Sequence, residues 1–144
     1  MFSNLFSAAD ISASGMSAER MRMEVVANNI ANANSTRTPD GGPYKRQQLM
    51  FSSMMDSGAS GSTGLLGVRV LGKVADETPG DVIEDPGHPH ADKVTGMLQM
   101  PNVDLPLEMV DLITASRSYE ANLKALTSFK QMIEQTLSLL QGRQ

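Results

Sequence analysis

Cysteine and tryptophan are both absent from this 144-residue chain. Without thiols, neither a disulfide framework nor a cysteine-built zinc site can form. That absence suits a reducing compartment, and equally a chain that crosses into an oxidising one without needing cross-links. Aromatic side chains are few, at two Tyr and four Phe. No stretch reaches the ~18 consecutive apolar residues of a membrane span. There are 12 Lys and Arg against 16 Asp and Glu, and the basic residues are scattered. A net charge of −4 with no basic cluster leaves no footprint for nucleic acid. The opening Met1-Phe2-Ser3-Asn4-Leu5-Phe6 has neither a basic region nor a continuous apolar run. A cleaved secretory signal is therefore not expected, so the chain either stays in the cytoplasm or leaves by another route.

What the chain does have is two ends that match each other. At this length it is one domain or less. Residues 2–31 and 105–141 both read as long amphipathic helices, and the middle reads as short strands and turns. In the first, Phe2, Ala9, Met16, Met23 and Ile30 recur every seven residues, with Leu5, Phe6, Ala13, Val26 and Ala27 beside them. Ser12, Ser14, Gly15 and Glu19 weaken that stripe, so the helix is marginal by itself in water. The run Ala27-Asn28-Asn29-Ile30-Ala31-Asn32-Ala33-Asn34 ends it, because Asn side chains compete for backbone hydrogen bonds.

The second helix carries the stronger pattern. Asp104 is a suitable N-cap, and Pro106 falls in the first turn, where a missing N–H costs little. Leu112, Ser116, Tyr119, Leu123, Leu126, Lys130, Ile133, Leu137 and Leu140 alternate four and three apart, a heptad seam with two polar members. Glu120 and Lys124 make a favourable i,i+4 pair, and Gly142 is a fitting stop. Such a helix would be roughly 50 Å long. It would outreach a small central patch and so must pair with the first helix and with other chains. The 11 Met residues suit helix contacts that vary slightly between copies, and equally suit ordinary core filling.

Between the helices, Pro39-Asp40-Gly41 has turn chemistry, with Pro presetting φ and Gly accepting positive φ. Residues Tyr44–Phe51 are expected to be extended, with Lys45, Gln47, Leu49 and Phe51 on one face. Ser52–Gly64, rich in Ser and Gly, reads as a flexible loop. Strand-like pieces follow around Val68 and Val70, at Asp81–Glu84 and at Val94–Met100, separated by Pro79-Gly80 and Pro86-Gly87. The expected fold is mainly α with a small β-rich insert, its terminal helices packed as a coiled coil. Residues 1–34 and 105–144 form the helical ends and 35–104 the insert.

Little here supports an enzyme. The only histidines, His88 and His90, flank Pro89 between Asp85 and Asp92. A His-x-His beside carboxylates can hold a metal, but the Pro and Gly spacing favours a tight turn and no third ligand cluster exists. There is no nucleophile elbow, phosphate loop or zinc-protease motif. Glu84-Asp85 lies at a turn edge, where carboxylates are usually solvated. No cofactor or metal is expected.

Two motifs at opposite ends point further. Ala27-Asn28-Asn29-Ile30-Ala31-Asn32 resembles the N-terminal signature of the bacterial flagellar axial proteins, the rod and hook family. Arg117-Ser118-Tyr119-Glu120-Ala121-Asn122 resembles that family's C-terminal Arg-x-Tyr-x-Ala-Asn signature. The stretches Asn34 to Tyr44, Pro101-Asn102-Val103-Asp104-Leu105, Glu108-Met109-Val110 and Ala115-Ser116-Arg117 are similar to its proximal rod members. The likeness covers nearly the whole chain. One departure is Gly96-Met97-Leu98, where the family often has Gly-Tyr-Val, so aromatic packing at that turn is not carried over.

The resemblance implies a structural rod subunit in the periplasmic part of the basal body. It would be exported through the flagellar type III apparatus without a cleaved signal and polymerised helically to transmit torque. Its partners would be copies of itself, other rod proteins, and MS-ring or export-gate components at the rod base. The expected assembly interface is Phe2, Leu5, Met16, Met23, Asn28, Asn29, Ile30 and Asn32 on the first helix. On the second it is Leu112, Arg117, Tyr119, Asn122, Leu123, Leu126, Ile133, Leu137 and Leu140. Another proximal rod component, a cytoplasmic coiled-coil adaptor, and an enzyme with a site in residues 65–100 remain as alternatives. The rod reading further expects an isolated chain to show less helix than its pattern allows.

Overall fold

The computed structural model describes residues 2–55 and 65–141. Their order is α1 (Phe2–Ala31), β1 (Gln47–Met55), β2 (Leu65–Ala75), β3 (Val82–Glu84), β4 (Met97–Gln99) and α2 (Leu105–Gln141). β1 pairs with β2, and β3 pairs antiparallel with β4 through Val82–Gln99, Ile83–Leu98 and Glu84–Met97. The mainly helical fold with a small β insert is thus present, and both long helices run as the periodicity indicated.

Local chemistry sets the boundaries. At the end of α1 the amides of Asn28 and Asn32 donate to the carbonyls four residues back, those of Glu24 and Asn28. The backbone then tightens into turns, with Ala33 N bonded to Ile30 O and Ser35 N to Asn32 O. The turn at Pro39-Asp40-Gly41-Gly42 closes through Thr38 N to Gly42 O, and both glycines have φ near +80°, at 88° and 77°. Only Gly takes two such values in a row without strain. Asp104 caps α2 as expected, its Oδ1 accepting from Leu107 N at 3.2 Å.

The insert departs from expectation in three places. β1 starts at Gln47, not Tyr44, because Tyr44 N is bonded to Ser35 O in the turn before it. It continues through Ser52–Met55, which the sequence assigned to a loop; residues 56–64 of that loop lie outside the described residues. A paired neighbour overrides the low strand propensity of Ser, since β1 and β2 are hydrogen-bonded partners. β4 is shorter than Val94–Met100, because Asp92 Oδ1 accepts from Val94 N and turns the chain there.

The chain divides into two compact units. One comprises Met1–Met21, Phe51–Leu71 and Ala115–Gln144, the other Arg22–Met50 and Gly72–Thr114. In the first, α1 approaches α2 closely at Gly15, where a Cβ would come 3.0 Å from Asn122 Nδ2. Ser14 Oγ there accepts from Val68 N of β2 at 3.1 Å. An open, largely apolar groove of about 650 Å³ is lined by Ala9, Leu126, Phe129 and Ile133, with Thr127, Lys130 and Glu134 at its edges. In the second unit, α1 and α2 run antiparallel: Arg22 reaches Asp111, and seven residues on Asn29 reaches Glu108.

Candidate assembly interface

The centre of the second unit is polar. Glu108, in the first turn of α2, is fully buried, and Asn29, near the end of α1, is 1 % exposed. Arg46 Nε donates to Glu108 Oε1, and Asn29 Nδ2 donates to Oε2 at 2.9 Å. The carboxylate thus has one charged and one neutral donor, which offsets the cost of removing it from water. The other edge of Arg46 faces Asp111 at 3.5 Å, and Asp111 also accepts from Arg22 at 3.2 Å.

Asn29 uses every hydrogen-bonding position it has. Its Oδ1 accepts from Gln47 N and from the Tyr44 hydroxyl, both at 3.0 Å. Its Nδ2 donates to Gln47 O at 2.9 Å as well as to Glu108. The side-chain amide therefore treats Gln47 as a neighbouring strand would, and fixes where β1 begins. Asn102 does the same one residue earlier. Its Oδ1 accepts from Arg46 N at 2.7 Å, and its Nδ2 donates to the carbonyls of Asp76 and Thr78. Burial, and then the nearby Glu108 charge, push the Tyr44 hydroxyl above its usual pKa. Hydrogen bonds from Thr78, side chain first and then backbone, hold Asp76 below the usual carboxylate range.

The surface is the inverse of this centre. Around the turn that hides Glu108, α2 exposes Leu107 (63 %), Met109 (57 %), Val110 (60 %) and Ile113 (58 %). Among the described residues the buried apolar set is small: Ala18, Val25, Val26, Ala33, Leu98 and Ala115. A helix that turns a carboxylate inward and four large apolar side chains outward is not arranged for a life alone in water.

The residues singled out from sequence fall into three groups. Asn29 is buried. Met16, Met23, Ile30, Asn32, Leu112, Tyr119, Asn122, Leu126 and Ile133 are half-buried, while Asn28, Arg117, Leu123 and Leu137 are exposed. Phe2, Leu5 and Leu140 lie outside the residues whose side chains are described. Within the chain, α2 buries Glu108 and Ala115, while Asn122 and Phe129 are half-buried together with the seam residues Leu112, Ser116, Tyr119, Leu126 and Ile133, and Leu123, Lys130 and Leu137 are exposed. On α1 the buried residues are Ser12, Ala18, Val25, Val26, Asn29 and Ala33, with Gly15, Glu19 and Arg22 half-buried beside them, so the inward face is small or polar apart from the two valines. Sequence reasoning gave Glu108, Arg46 and Asn102 no role. The available signal was a pair of carboxylates, Glu108 and Asp111, inside the otherwise apolar run from Leu105 to Ile113. His88 and His90 are stacked edge-on with centroids 5.2 Å apart, and His90 meets Thr36 Oγ1 at 2.8 Å. Among the described residues no three metal-ligating side chains gather, and no helix is long and apolar enough to cross a membrane.

Comparison with known proteins places this arrangement. Residues 10–37 match the family model described as "Flagella basal body rod protein". Residues 94–139 match that of the "Flagellar basal body rod FlgEFG protein C-terminal". The flagellar basal-body rod protein FlgC of Borreliella burgdorferi is 40 % identical, over 96 % of this chain and 99 % of its own length. FlgC of Salmonella typhimurium is 41 % identical over 90 % and 93 %, and FlgC of Aquifex aeolicus 43 % over 92 % and 95 %. These matches favour the rod reading over the adaptor and the enzyme. The chain belongs to the FlgC family of flagellar basal-body rod proteins, structural subunits of the bacterial flagellum and not enzymes.

Proposed function

We propose that this rod subunit leaves the cytoplasm through the flagellar type III apparatus and joins the periplasmic rod as one step of a helical polymer that transmits torque. The observation that carries this reading is the inverted α2, with Glu108 buried and Leu107, Met109, Val110 and Ile113 exposed. Export requires a chain that travels unfolded. Two long helices resting on small and polar side chains are marginal until neighbours cover them, and so permit it. Assembly requires contacts that do not close on themselves, so that subunits climb a helical path.

In this reading residues 1–34 and 105–144 are the axial helices and 35–104 the insert between them. The partners are copies of this chain, other rod proteins, and MS-ring or export-gate components at the base. The stripes Phe2, Leu5, Met16, Met23, Asn28, Ile30 and Asn32 on α1, and Leu112, Arg117, Tyr119, Asn122, Leu123, Leu126, Ile133, Leu137 and Leu140 on α2, meet neighbouring subunits in coiled-coil fashion. Asn29 has a different part and sets the strand that leaves α1. Close-packed long helices supply the stiffness that torque demands.

The test uses the missing cysteines. Single Cys residues at Ser116 and Leu126 are oxidised in cells, and the cross-linked species are read in purified basal bodies. Cross-links to the chain itself and to other rod or export-gate proteins are expected; absence of the chain from basal bodies sinks the reading. Leu126→Asp places an unpaired charge in the seam, at a cost of several kcal/mol per interface, and should stop rod growth. Normal swimming in that variant counts against the seam.

A further inference from the structure

Sulfur in this chain is all thioether, since there are 11 Met and no Cys. Met is ordinarily among the most buried side chains, yet none of the described methionines is buried. Met21, Met50, Met55, Met97, Met109 and Met132 are all exposed, so access alone singles out none of them. Their surroundings differ. On a helix a side chain meets its i±3 and i±4 neighbours. Around Met109 these are Leu105, Pro106, Leu112 and Ile113, whose side chains hold no hydrogen-bond donor. Met132, on the same helix, has Ser128, Gln135 and Thr136 in those places beside Phe129, and Met21 has Ser17 and Glu24 among its own. Met50 and Met55 stand two residues from Gln48, Ser52 and Ser53 on β1, and Met97 is paired with Glu84.

We propose that Met109 is an oxidation site: a hydroperoxide converts it to the sulfoxide in the free subunit, and the sulfoxide keeps that subunit out of the rod. The inference rests on the rod reading above. With hydrogen peroxide, the thioether sulfur attacks one oxygen, and the S–O bond forms as the O–O bond breaks. Sulfur gives up two electrons, and the departing hydroxide takes the remaining proton and leaves as water. The product is a polar acceptor where the face otherwise presents Leu107, Val110 and Ile113. Its helical neighbours offer it no donor, so a neighbouring subunit that covers this face buries an unpaired acceptor. Oxidation thus acts before incorporation, because a covered Met109 no longer meets the oxidant. At Met132 the same reaction places the oxygen among hydroxyl and amide groups, which removes that penalty.

The experiment uses the full chain in cells without methionine sulfoxide reductase. The chain is produced while rod assembly is held off, a pulse of hydrogen peroxide is given and quenched, and assembly is then switched on. Peptide mapping by mass spectrometry reads the sulfoxide fraction at Met109 and Met132 in the free pool and in purified basal bodies. Met132 sulfoxide is expected at equal fractions in both, and Met109 sulfoxide is expected to be about tenfold depleted from basal bodies. Incorporation after peroxide, taken relative to each chain's own untreated level, should fall less for Met109→Leu than for the parent, and as far as the parent for Met132→Leu. Three results overturn the site while leaving the rod reading intact: Met109 sulfoxide at equal fractions in both pools, depletion of both sulfoxides alike, or the same peroxide-dependent loss in Met109→Leu as in the parent. Absence of the untreated parent chain from basal bodies overturns the rod reading and this inference with it.

Discussion

The two helix pairings in this molecule are built on different chemistry. Where residues 22–31 of α1 lie along residues 105–114 of α2, the contact is tied by Arg22–Asp111 and Asn29–Glu108, with Arg46 joining from the chain before β1. Where residues 2–21 meet residues 115–141, the close point is Gly15 against the amide of Asn122, beside an open apolar groove. The first pairing is directional and complete in one chain, because each buried polar group has a partner only in that register. The second is thin and apolar, and such surfaces are specified only once something covers them. A polymer subunit needs both, one part that sets its own shape and one that waits for a neighbour.

The comparison breaks most sharply at Glu108. Glu108→Ala takes the carboxylate from half-buried Arg46, which keeps only Asp111, and from buried Asn29, which keeps only Gln47 O, and should cost about 3–5 kcal/mol. Hydrogen exchange should then show faster amides across residues 22–31 and 105–114, with little change in 115–141; a uniform change would erase the distinction between the two pairings. Asn29→Ala comes next. It strips Gln47 N–H and C=O of their partners and should cost about 1–3 kcal/mol, read as a lower urea midpoint.

The outward apolar face of residues 105–114 should behave oppositely to the buried polar centre beneath it. Val110→Asp changes an exposed residue and should move the purified chain's stability by less than about 0.5 kcal/mol, yet sharply reduce its recovery in basal bodies. A destabilised free chain would mean that this face is already used within the subunit. The smallest effect lies at high pH. The Tyr44 hydroxyl is held protonated by burial and by Glu108, so its folded pKa lies above the unfolded value. Its contribution is complete below the unfolded pKa of about 10 and is lost as pH rises through the raised folded value. Thermal unfolding of Tyr44→Phe should therefore fall less steeply above that pH than that of the parent chain.

Much of this was legible before any coordinates. The helix over 105–141, the Asp104 cap, the Asn stop after Ala31 and the Pro39-Asp40-Gly41 turn are local, and each is present. The two Asn-bearing end motifs were legible as a family signature. The polar centre was not, because Asn29, Tyr44, Arg46, Asn102 and Glu108 are far apart in the chain and nothing in their spacing announces that they converge. Periodicity also ranked apolar residues as inward by default. It could not show that α1 turns Gly15, Arg22 and Asn29 inward while α2 keeps Leu107, Val110 and Ile113 outside.

The sequence by itself determined where the helices begin and end, that no disulfide or cysteine-built zinc site supports the chain, and that its ends belong together. Those properties depend on neighbours within a few residues, through capping, turn geometry and backbone hydrogen bonding. Tertiary structure alone decided which helix face is inside. That choice turns on a few buried hydrogen bonds between distant residues, Asn29 and Glu108 among them, which local sequence does not place and which leave four large apolar side chains exposed.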